Sequence, residues 1–357
     1  MQGNVKPSGA RLKRVAIVTL QGNYNYGNRL QNFAVSEIYR HFGYEPVSLM
    51  HASIKTEAKG LVKRVLGRAP ESSMDAGRRK GFARFNSRMS FKTISKLSDR
   101  MVEEFDLFSV GSDQVWNVLS NKADIAWRFL DGVPSGKKVA LAPSFGEDRV
   151  PEELKERVGR YLSSFTSVSI REKAGQRLLR DTFGIEATVL CDPTLAVPRD
   201  LWESVSQSEF PCEDPYIFIY VLGDDPHQLA RVLELVDASG NYRVVMLSDR
   251  ARTGEVSVGP SGFISLIQHA RHVVTDSYHA AVFSCIFETP LTVIERAGRP
   301  EMFSRMETLA VLLGIQGKFY GHSAFDLALS SDYEGVAEAI ERERCRFYEY
   351  LNGCING

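Results

Sequence analysis

The stretch VAIVTLQGNYNYGNRL, residues 15–30, joins an apolar run to the start of an amphipathic segment. The apolar run predicts a buried strand, and the apolar residues beyond the loop recur at helical spacing: Leu30, Phe33, Ala34 and Ile38. A glycine-containing loop between a strand and a helix points backbone N–H groups and the positive end of the helix dipole at a ligand. The stretch predicts one unit of a parallel α/β fold with an anion-binding loop, and an ordinary turn is the alternative.

The same alternation of short apolar runs and helical segments continues through the chain, as in α/β proteins with parallel sheets. The apolar runs occupy residues 15–20, 106–110, 138–143, 167–170, 188–190, 216–222, 242–247, 272–275 and 291–294. Four prolines between residues 191 and 215 interrupt it. We therefore predict an N-terminal α/β domain, residues 1–200, and a C-terminal one, residues 201–357, with a cleft between them and the last helix packing back on the first domain.

The composition is that of a soluble globular protein: of 357 residues, 43% are hydrophobic and 25% are charged. The formal net charge of zero argues against nucleic acid as a partner. No apolar run has the length of a signal peptide core or a membrane span, so we expect a cytoplasmic protein. The five cysteines show no zinc-binding spacing, and we expect no metal.

One segment is strongly basic. Residues 55–100 contain 13 Lys or Arg and 4 Asp or Glu, in a chain that is neutral overall. We interpret the segment as a basic helical insertion. It is either a solvated hairpin or a surface that lies against a polyanionic acceptor or against anionic lipid at the inner membrane face.

Polar residues follow a predicted strand in VGSDQVWN, residues 110–117. The carboxylate of Asp113 and the amide of Gln114 suit sugar hydroxyls, because together they offer acceptors and donors. Capping of a helix by Ser112 or Asp113 is the alternative.

Two further motifs lie at predicted strand ends. Arg171 in SIREK, residues 169–173, is placed to bind a carboxylate or phosphate, or else forms a surface pair with Glu172. In TDSYH, residues 275–279, Ser277 can cap the next helix. His279 then lies in the first turn as a neutral donor, a phosphate ligand or a general acid, although a lone histidine is more often structural.

Taken together, these motifs resemble those of the polysaccharide pyruvyl transferase family. The resemblance is carried by NYGNRLQN (25–32), VGSDQVWN (110–117), SFG (144–146), SIREK (169–173), CDPTL (191–195) and TDSYHAAVFS (275–284). It implies a GT-B-like fold of two Rossmann-like domains. It also implies transfer of a pyruvyl group from phosphoenolpyruvate to a saccharide as a cyclic ketal, in the synthesis of bacterial-type surface polysaccharide or cell-wall glycan.

The resemblance also implies roles for single residues. Arg171 matches the arginine expected to bind the donor, and His279 matches the active-site histidine. Many members carry an arginine two positions before that histidine, where this chain has Ser277. Another arginine then has to substitute, with Arg29, Arg299 and Arg305 as candidates.

We therefore predict a site with three groups of residues and no cofactor beyond phosphoenolpyruvate as donor substrate. The catalytic residues are His279, Arg171 and Asp113; the donor-binding residues are Ser277, Tyr278, Gly27, Asn28, Arg29 and Arg305; the acceptor-binding residues are Asn25, Ser112, Gln114 and Trp116. The acceptor is a saccharide, with a lipid-linked one among the alternatives. A nucleotide-sugar glycosyltransferase and a non-enzymatic glycan-binding protein are the alternative functions.

Overall fold

The computed structural model describes residues 11–20, 25–52, 73–119, 125–211, 214–222, 228, 230, 232–234, 242–248, 255–296, 304–323 and 326–356. Its strands are β1 Lys13–Val18, β2 Tyr44–His51, β3 Phe91–Ile94, β4 Leu107–Val110, β5 Lys138–Ala140, β6 Ser169–Ile170, β7 Thr188–Val189, β8 Tyr216–Tyr220, β9 Arg243–Leu247, β10 His272–Thr275 and β11 Leu291–Val293. Its α-helices are α1 Tyr26–His41, α2 Ser73–Asn86, α3 Asp99–Glu104, α4 Ile125–Arg128, α5 Glu152–Leu162, α6 Lys173–Phe183, α7 Pro193–Ala196, α8 Arg199–Val205, α9 Pro260–Gln268, α10 Tyr278–Phe287, α11 Ser304–Leu313 and α12 Val336–Asn356. Short 3₁₀ helices occupy Gln114–Trp116, Ser135–Lys137, Gln316–Lys318 and Leu327–Ser331.

The first half of the chain forms a five-stranded parallel sheet in the order β3-β2-β1-β4-β5. The central strand β1 pairs Val15 with Pro46 of β2 and with Leu107 of β4. Its four last residues are buried, as expected for a strand covered on both faces. The short strands β6 and β7 pair with each other, and a bridge from Ala140 to Val168 joins them to β5.

The second half forms a four-stranded parallel sheet in the order β11-β10-β8-β9. All five residues of β8 are buried, because β8 lies inside the sheet between β10 and β9. The predicted architecture of two parallel α/β sheets is therefore confirmed.

Helices of both halves share one hydrophobic core. The ring of Trp202 on α8 lies 5.7 Å from that of Phe33 on α1 and 4.9 Å from that of Phe283 on α10. The last helix, α12, contacts the first half, where the Tyr350 hydroxyl donates to the carbonyl of Ala140 over 3.2 Å. The domain boundary near residue 200 stays a prediction.

The basic segment differs from the prediction. Residues 53–72 lie outside the described residues, but the rest is not all helical, because Phe91–Ile94 form β3 at the edge of the first sheet. Nor is the helical part fully solvated. Arg78 on α2 is buried, donates to the carbonyl of Ser248 over 2.9 Å and lies 4.5 Å over the ring of Tyr26.

Within the described parts of the chain, no helix combines the length and the apolar character that crossing a membrane requires.

Candidate active site

Six charged or titratable side chains from both halves meet beyond the carboxyl ends of the strands. We call them the central cluster: Asp113, Arg171, Glu172, Asp192, His279 and Arg305. Parallel strands present the residues that follow them at one edge of a sheet, which is why motifs far apart in the chain converge here.

Arg171 is at the centre of this cluster and is 2% exposed. Its Nη2 lies 3.0 Å from Oδ1 of Asp113, and its Nη1 donates to Oδ2 of Asp192. The Tyr278 ring lies 4.9 Å from the guanidinium carbon. Burial alone would lower the pKa of Arg171, but the two aspartates raise it, so Arg171 stays charged. Both terminal nitrogens are therefore engaged within the protein.

Asp113 is held by its backbone as well as by its charge. Its φ of +65° is unusual for a residue with a side chain, and its Oδ1 accepts the backbone N–H of Gln114 over 2.9 Å. Nη1 of Arg305 lies 3.7 Å from the same oxygen. Burial opposes ionisation of this carboxyl, but Arg171 and other cationic groups hold its pKa below the ordinary value.

Asp192 and Glu172 are the two members of the cluster that were not among the predicted site residues, and Asp192 is described first. It is fully buried, and its Oδ1 accepts the backbone N–H of Thr194 over 3.0 Å, which caps α7. Its Oδ2 faces Arg171 and lies 3.6 Å from Nε2 of His279. Burial would raise the pKa of Asp192, but His279 and Arg171 lower it. The signal was visible as Asp-Pro, the pattern of a helix N-cap with proline at the first position.

His279 lies in the first turn of α10, as predicted, and is 7% exposed. Its ring packs directly on Gly27 of α1, where a Cβ atom would come within 2.6 Å of the ring carbon Cε1. A side chain at position 27 therefore competes with the histidine ring for the same space. The role of Gly27 here is to admit His279, and α1 and α10 bring the two halves of the chain together at this point.

Two residues predicted to bind the acceptor are buried and form hydrogen bonds to other protein groups, so we correct both assignments. Trp116 is fully buried, stacks on Phe129 at 5.0 Å and donates from its Nε1 to the carbonyl of Arg128. Its ring belongs to the hydrophobic core. Ser112 is also fully buried, and its hydroxyl donates to the carbonyl of Ala142 over 2.8 Å.

The third, Gln114, is half-buried and lies at the turn of the SFG motif. Its side-chain amide packs on Gly146, whose φ is +63° and where a Cβ atom would overlap that amide. This contact fixes the Gln114 side chain against the SFG turn, beside its chain neighbour Asp113. A role for Gln114 in acceptor binding stays a prediction.

The polar loop before α1 is described only from Asn25 onward. Asn25 is the N-cap of α1, since its Oδ1 accepts the backbone N–H of Asn28 over 3.1 Å. The Arg29 guanidinium is buried and lies 5.0 Å over the ring of Phe91 on β3. Burial lowers the pKa of Arg29 to about 10.

The start of α10 holds the other predicted donor residues. Ser277 occupies the N-cap position, but its hydroxyl makes no capping hydrogen bond, contrary to the prediction. Its neighbour Asp276 accepts the backbone N–H of Leu222 over 2.8 Å and the Nε–H of Arg296 over 3.1 Å. Arg296, which the sequence did not single out, therefore lies close to the position where many family members carry an arginine.

Of the two candidate substitutes that the structure describes, Arg29 and Arg305, it is Arg305 on α11 whose guanidinium lies next to a carboxylate of the cluster, that of Asp113. Its side chain is 10% exposed. Burial, with a contribution from Arg171, lowers its pKa to about 10, so it remains charged near neutral pH. Arg299 lies outside the described residues.

Four polar atoms of the cluster are buried and have no partner within hydrogen-bond distance among the described residues: Arg171 Nε, Glu172 Oε2, Arg305 Nε and His279 Nε2, from which Asp192 Oδ2 lies 3.6 Å away. Buried polar groups in folded proteins are nearly always paired, because an unpaired one costs about 1–3 kcal/mol. Other such atoms lie elsewhere in the described residues, but in the cluster four of them belong to charged or titratable groups that share one site, as in a site that binds a polar ligand.

The family sequence profile named "Polysaccharide pyruvyl transferase" matches residues 25–298, a span that includes all but one member of the central cluster. The chain belongs to the polysaccharide pyruvyl transferase family. Arg305 lies beyond the matched span of this pyruvyl transferase, so its place in the cluster is known from the structure alone. No curated protein sequence matches the chain.

A solved structure confirms the predicted GT-B-like fold. MnaA from S. aureus, in a co-structure with UDP, superposes with a TM-score of 0.51 at 13% identity, covering 96% of this chain and 97% of that one. A putative UDP-N-acetylglucosamine 2-epimerase from Listeria monocytogenes gives a TM-score of 0.48 at 11% identity, with 96% and 98% covered. At this identity the likeness concerns the fold only.

Proposed function

We propose that this pyruvyl transferase uses phosphoenolpyruvate as donor and forms a cyclic ketal on a saccharide. The observation that carries the proposal is the set of four unpaired buried atoms around two guanidiniums, in a cluster assembled from family motifs. A donor with a carboxylate and a phosphate needs cationic and N–H donors, and Arg305 Nε, Arg171 Nε and the first turn of α10 offer them.

In the proposed reaction, a proton is added to the methylene carbon of phosphoenolpyruvate, and the neighbouring carbon gains oxocarbenium character. One sugar hydroxyl forms a bond to that carbon and releases its proton. The bond to the phosphate oxygen then breaks, a second hydroxyl closes the ketal, and its proton is released too. His279 supports phosphate departure or supplies the first proton, and Asp113 orients the acceptor hydroxyls.

Arg305, rather than Arg171, is the main anion contact in this proposal. Both terminal nitrogens of Arg171 already bind aspartates, whereas Arg305 has one carboxylate 3.7 Å away and an unpaired Nε. In this proposal Arg305 supplies the positive charge of the arginine that many family members carry at position 277, where this chain has serine. Arg296, which binds the neighbouring Asp276, lies close to the same position.

Thermal stability with and without phosphoenolpyruvate tests the donor, beside a panel of nucleotide sugars. A ligand at 100 times its dissociation constant adds about 2.7 kcal/mol of stability. We expect a shift with phosphoenolpyruvate that Arg305→Ala abolishes and Arg305→Lys reduces. Arg180→Ala, at an exposed arginine paired with Asp181, is the matched control and should keep the shift.

Phosphate release in the presence of a saccharide panel then identifies the acceptor class. A melting shift with a nucleotide sugar and none with phosphoenolpyruvate would replace the proposal by glycosyl transfer. Saccharide binding without turnover of any donor would favour a glycan-binding protein. The predicted membrane contact through residues 55–100 remains a separate proposal, tested by cosedimentation with anionic vesicles.

A further inference from the structure

Glu172 is a buried carboxyl that the proposed reaction has not used. It follows Arg171 at the end of β6, at the N-cap position of α6, and it is 1% exposed. Its side chain makes no capping hydrogen bond. Instead, Oε1 accepts the backbone N–H of Phe145 over 3.2 Å, within the SFG turn.

The other oxygen, Oε2, is buried and has no partner in the described part of the chain. A buried carboxylate with one oxygen unpaired is costly, whereas a neutral carboxyl avoids the buried charge and leaves only its O–H without an acceptor among the described residues. Burial raises the pKa of Glu172, and the charges of Arg171 and Arg305, with the N–H of Phe145 and the nearby Ser144 hydroxyl, oppose that rise only in part. These are the charged and polar groups that face it.

Asp113 and Asp192 lie in the same cluster with their pKa values lowered. One site therefore holds ionised aspartates beside a carboxyl whose environment favours the proton. Where the pKa values of neighbouring carboxyl groups are shifted in opposite directions, the ionised group can serve as base and the neutral group as acid.

We infer that Glu172 is the acid that protonates the methylene carbon of the donor, an inference that rests on the proposed function. The O–H bond at Oε2 breaks, and the electron pair of the carbon–carbon double bond forms the new C–H bond. The resulting carboxylate is stabilised by Arg305, Arg171 and the N–H of Phe145. The proton that leaves the acceptor hydroxyl restores the acid, and His279 is then assigned to the departing phosphate.

Glu172→Gln is the decisive variant, because it keeps the shape and the hydrogen bond to Phe145 but has no proton to transfer. We expect turnover to fall about 10²- to 10⁴-fold, with the melting shift by phosphoenolpyruvate retained and the high-pH limb of the rate profile absent. Glu172→Asp, which remains an acid, should keep that limb. The control is Glu343→Gln, at a buried glutamate paired with Arg346 on α12, and it should turn over at the wild-type rate.

A second measurement needs no activity. A carboxyl with a raised pKa retains its proton in the folded state while the unfolded chain loses it, so its contribution to stability falls as the pH rises above about 4.3. The melting temperature of Glu172→Gln relative to wild type should therefore rise as the pH is increased above about 4.3.

The outcomes separate the two proposals. Wild-type turnover in Glu172→Gln overturns the role of Glu172 and leaves pyruvyl transfer intact. An unchanged pH profile in a slower Glu172→Gln, or a melting difference that does not vary with pH, also overturns it and indicates a structural glutamate. A wild-type protein that neither binds nor consumes phosphoenolpyruvate overturns the proposed function itself.

Discussion

Gly27 and Gly81 are both glycines of helices in the first half that lie against the second half, and their neighbours differ. Gly27 on α1 faces the ring of His279, a side chain that can rotate. Gly81 on α2 faces the backbone of Gly259 at the start of α9, where a Cβ atom would come within 2.5 Å of Cα. Two of the contacts between the halves therefore differ in kind: one is made by the side chain of a candidate site residue, and the other by backbone, which cannot move aside as a side chain can.

The two contacts differ in the interactions that support them. The contact of Gly27 with His279 depends on charges, because His279 lies 3.6 Å from Asp192, which in turn binds Arg171. The second contact depends on close packing, with Glu209 accepting the N–H of Gly259 over 2.6 Å. Substitutions in the two places should affect different measurements.

The largest effect is expected from Arg171→Met, which leaves two buried aspartates without their shared cation. The free energy of unfolding should fall by about 3–5 kcal/mol, measured by urea denaturation. Arg180→Met, at an exposed arginine, should change it by less than about 0.5 kcal/mol. A loss below about 1 kcal/mol in Arg171→Met would mean that the aspartates are not held by this guanidinium.

Gly27→Ala should act on function. The added methyl displaces the His279 ring, and misplacement of a catalytic group by about 1 Å costs about 10²-fold in rate. Because the ring can turn aside, the melting temperature should change little. Phosphate release with an acceptor found in the saccharide panel measures the rate, and turnover equal to wild type would show that the position of His279 is not critical.

Gly81→Ala should act on stability instead. Its methyl meets backbone, and overpacking of this kind costs about 1–3 kcal/mol. Turnover per folded molecule should stay at the wild-type value. Gly27→Ala should therefore lower the rate with little change in stability, and Gly81→Ala should lower stability with little change in the rate. If Gly81→Ala were slower than wild type but equally stable, the expected difference between the two contacts would be wrong.

The smallest effect concerns pH. The pKa of Asp192 is lowered, so its ionised form stabilises the folded state above about pH 4, and this contribution is lost as the pH falls further. The stability difference between wild type and Asp192→Asn should therefore shrink below about pH 4, by at most about 1.4 kcal/mol per pH unit. A difference that stays constant with pH would indicate that Asp192 does not titrate differently in the two states.

Much of the fold followed from local patterns. The runs at 216–222 and 272–275 became β8 and β10, because parallel strands buried on both faces need continuous apolar residues. Two strands were not predicted. β2 contains Pro46, and β3 lies in a basic segment whose composition favoured helix. Pairing with β1 and β2 overrides those local signals, since β propensity depends on neighbours.

The site was predictable in part for the same reason. Asp113, Arg171 and His279 each follow a strand, and strand ends meet at one edge of a sheet. Trp116 was assigned wrongly because its surroundings, Phe129 and Phe145, come from elsewhere in the chain.

By itself, the sequence determined the class of fold, the family and the motifs at strand ends, because periodicity, capping and spacing are local properties of the chain. Only the tertiary structure decided which carboxyls share Arg171, that Arg305 joins them, and that Glu172 is buried with an unpaired oxygen. Ionisation, burial and the fit of His279 on Gly27 depend on residues tens to hundreds of positions apart, and packing alone brings such residues together.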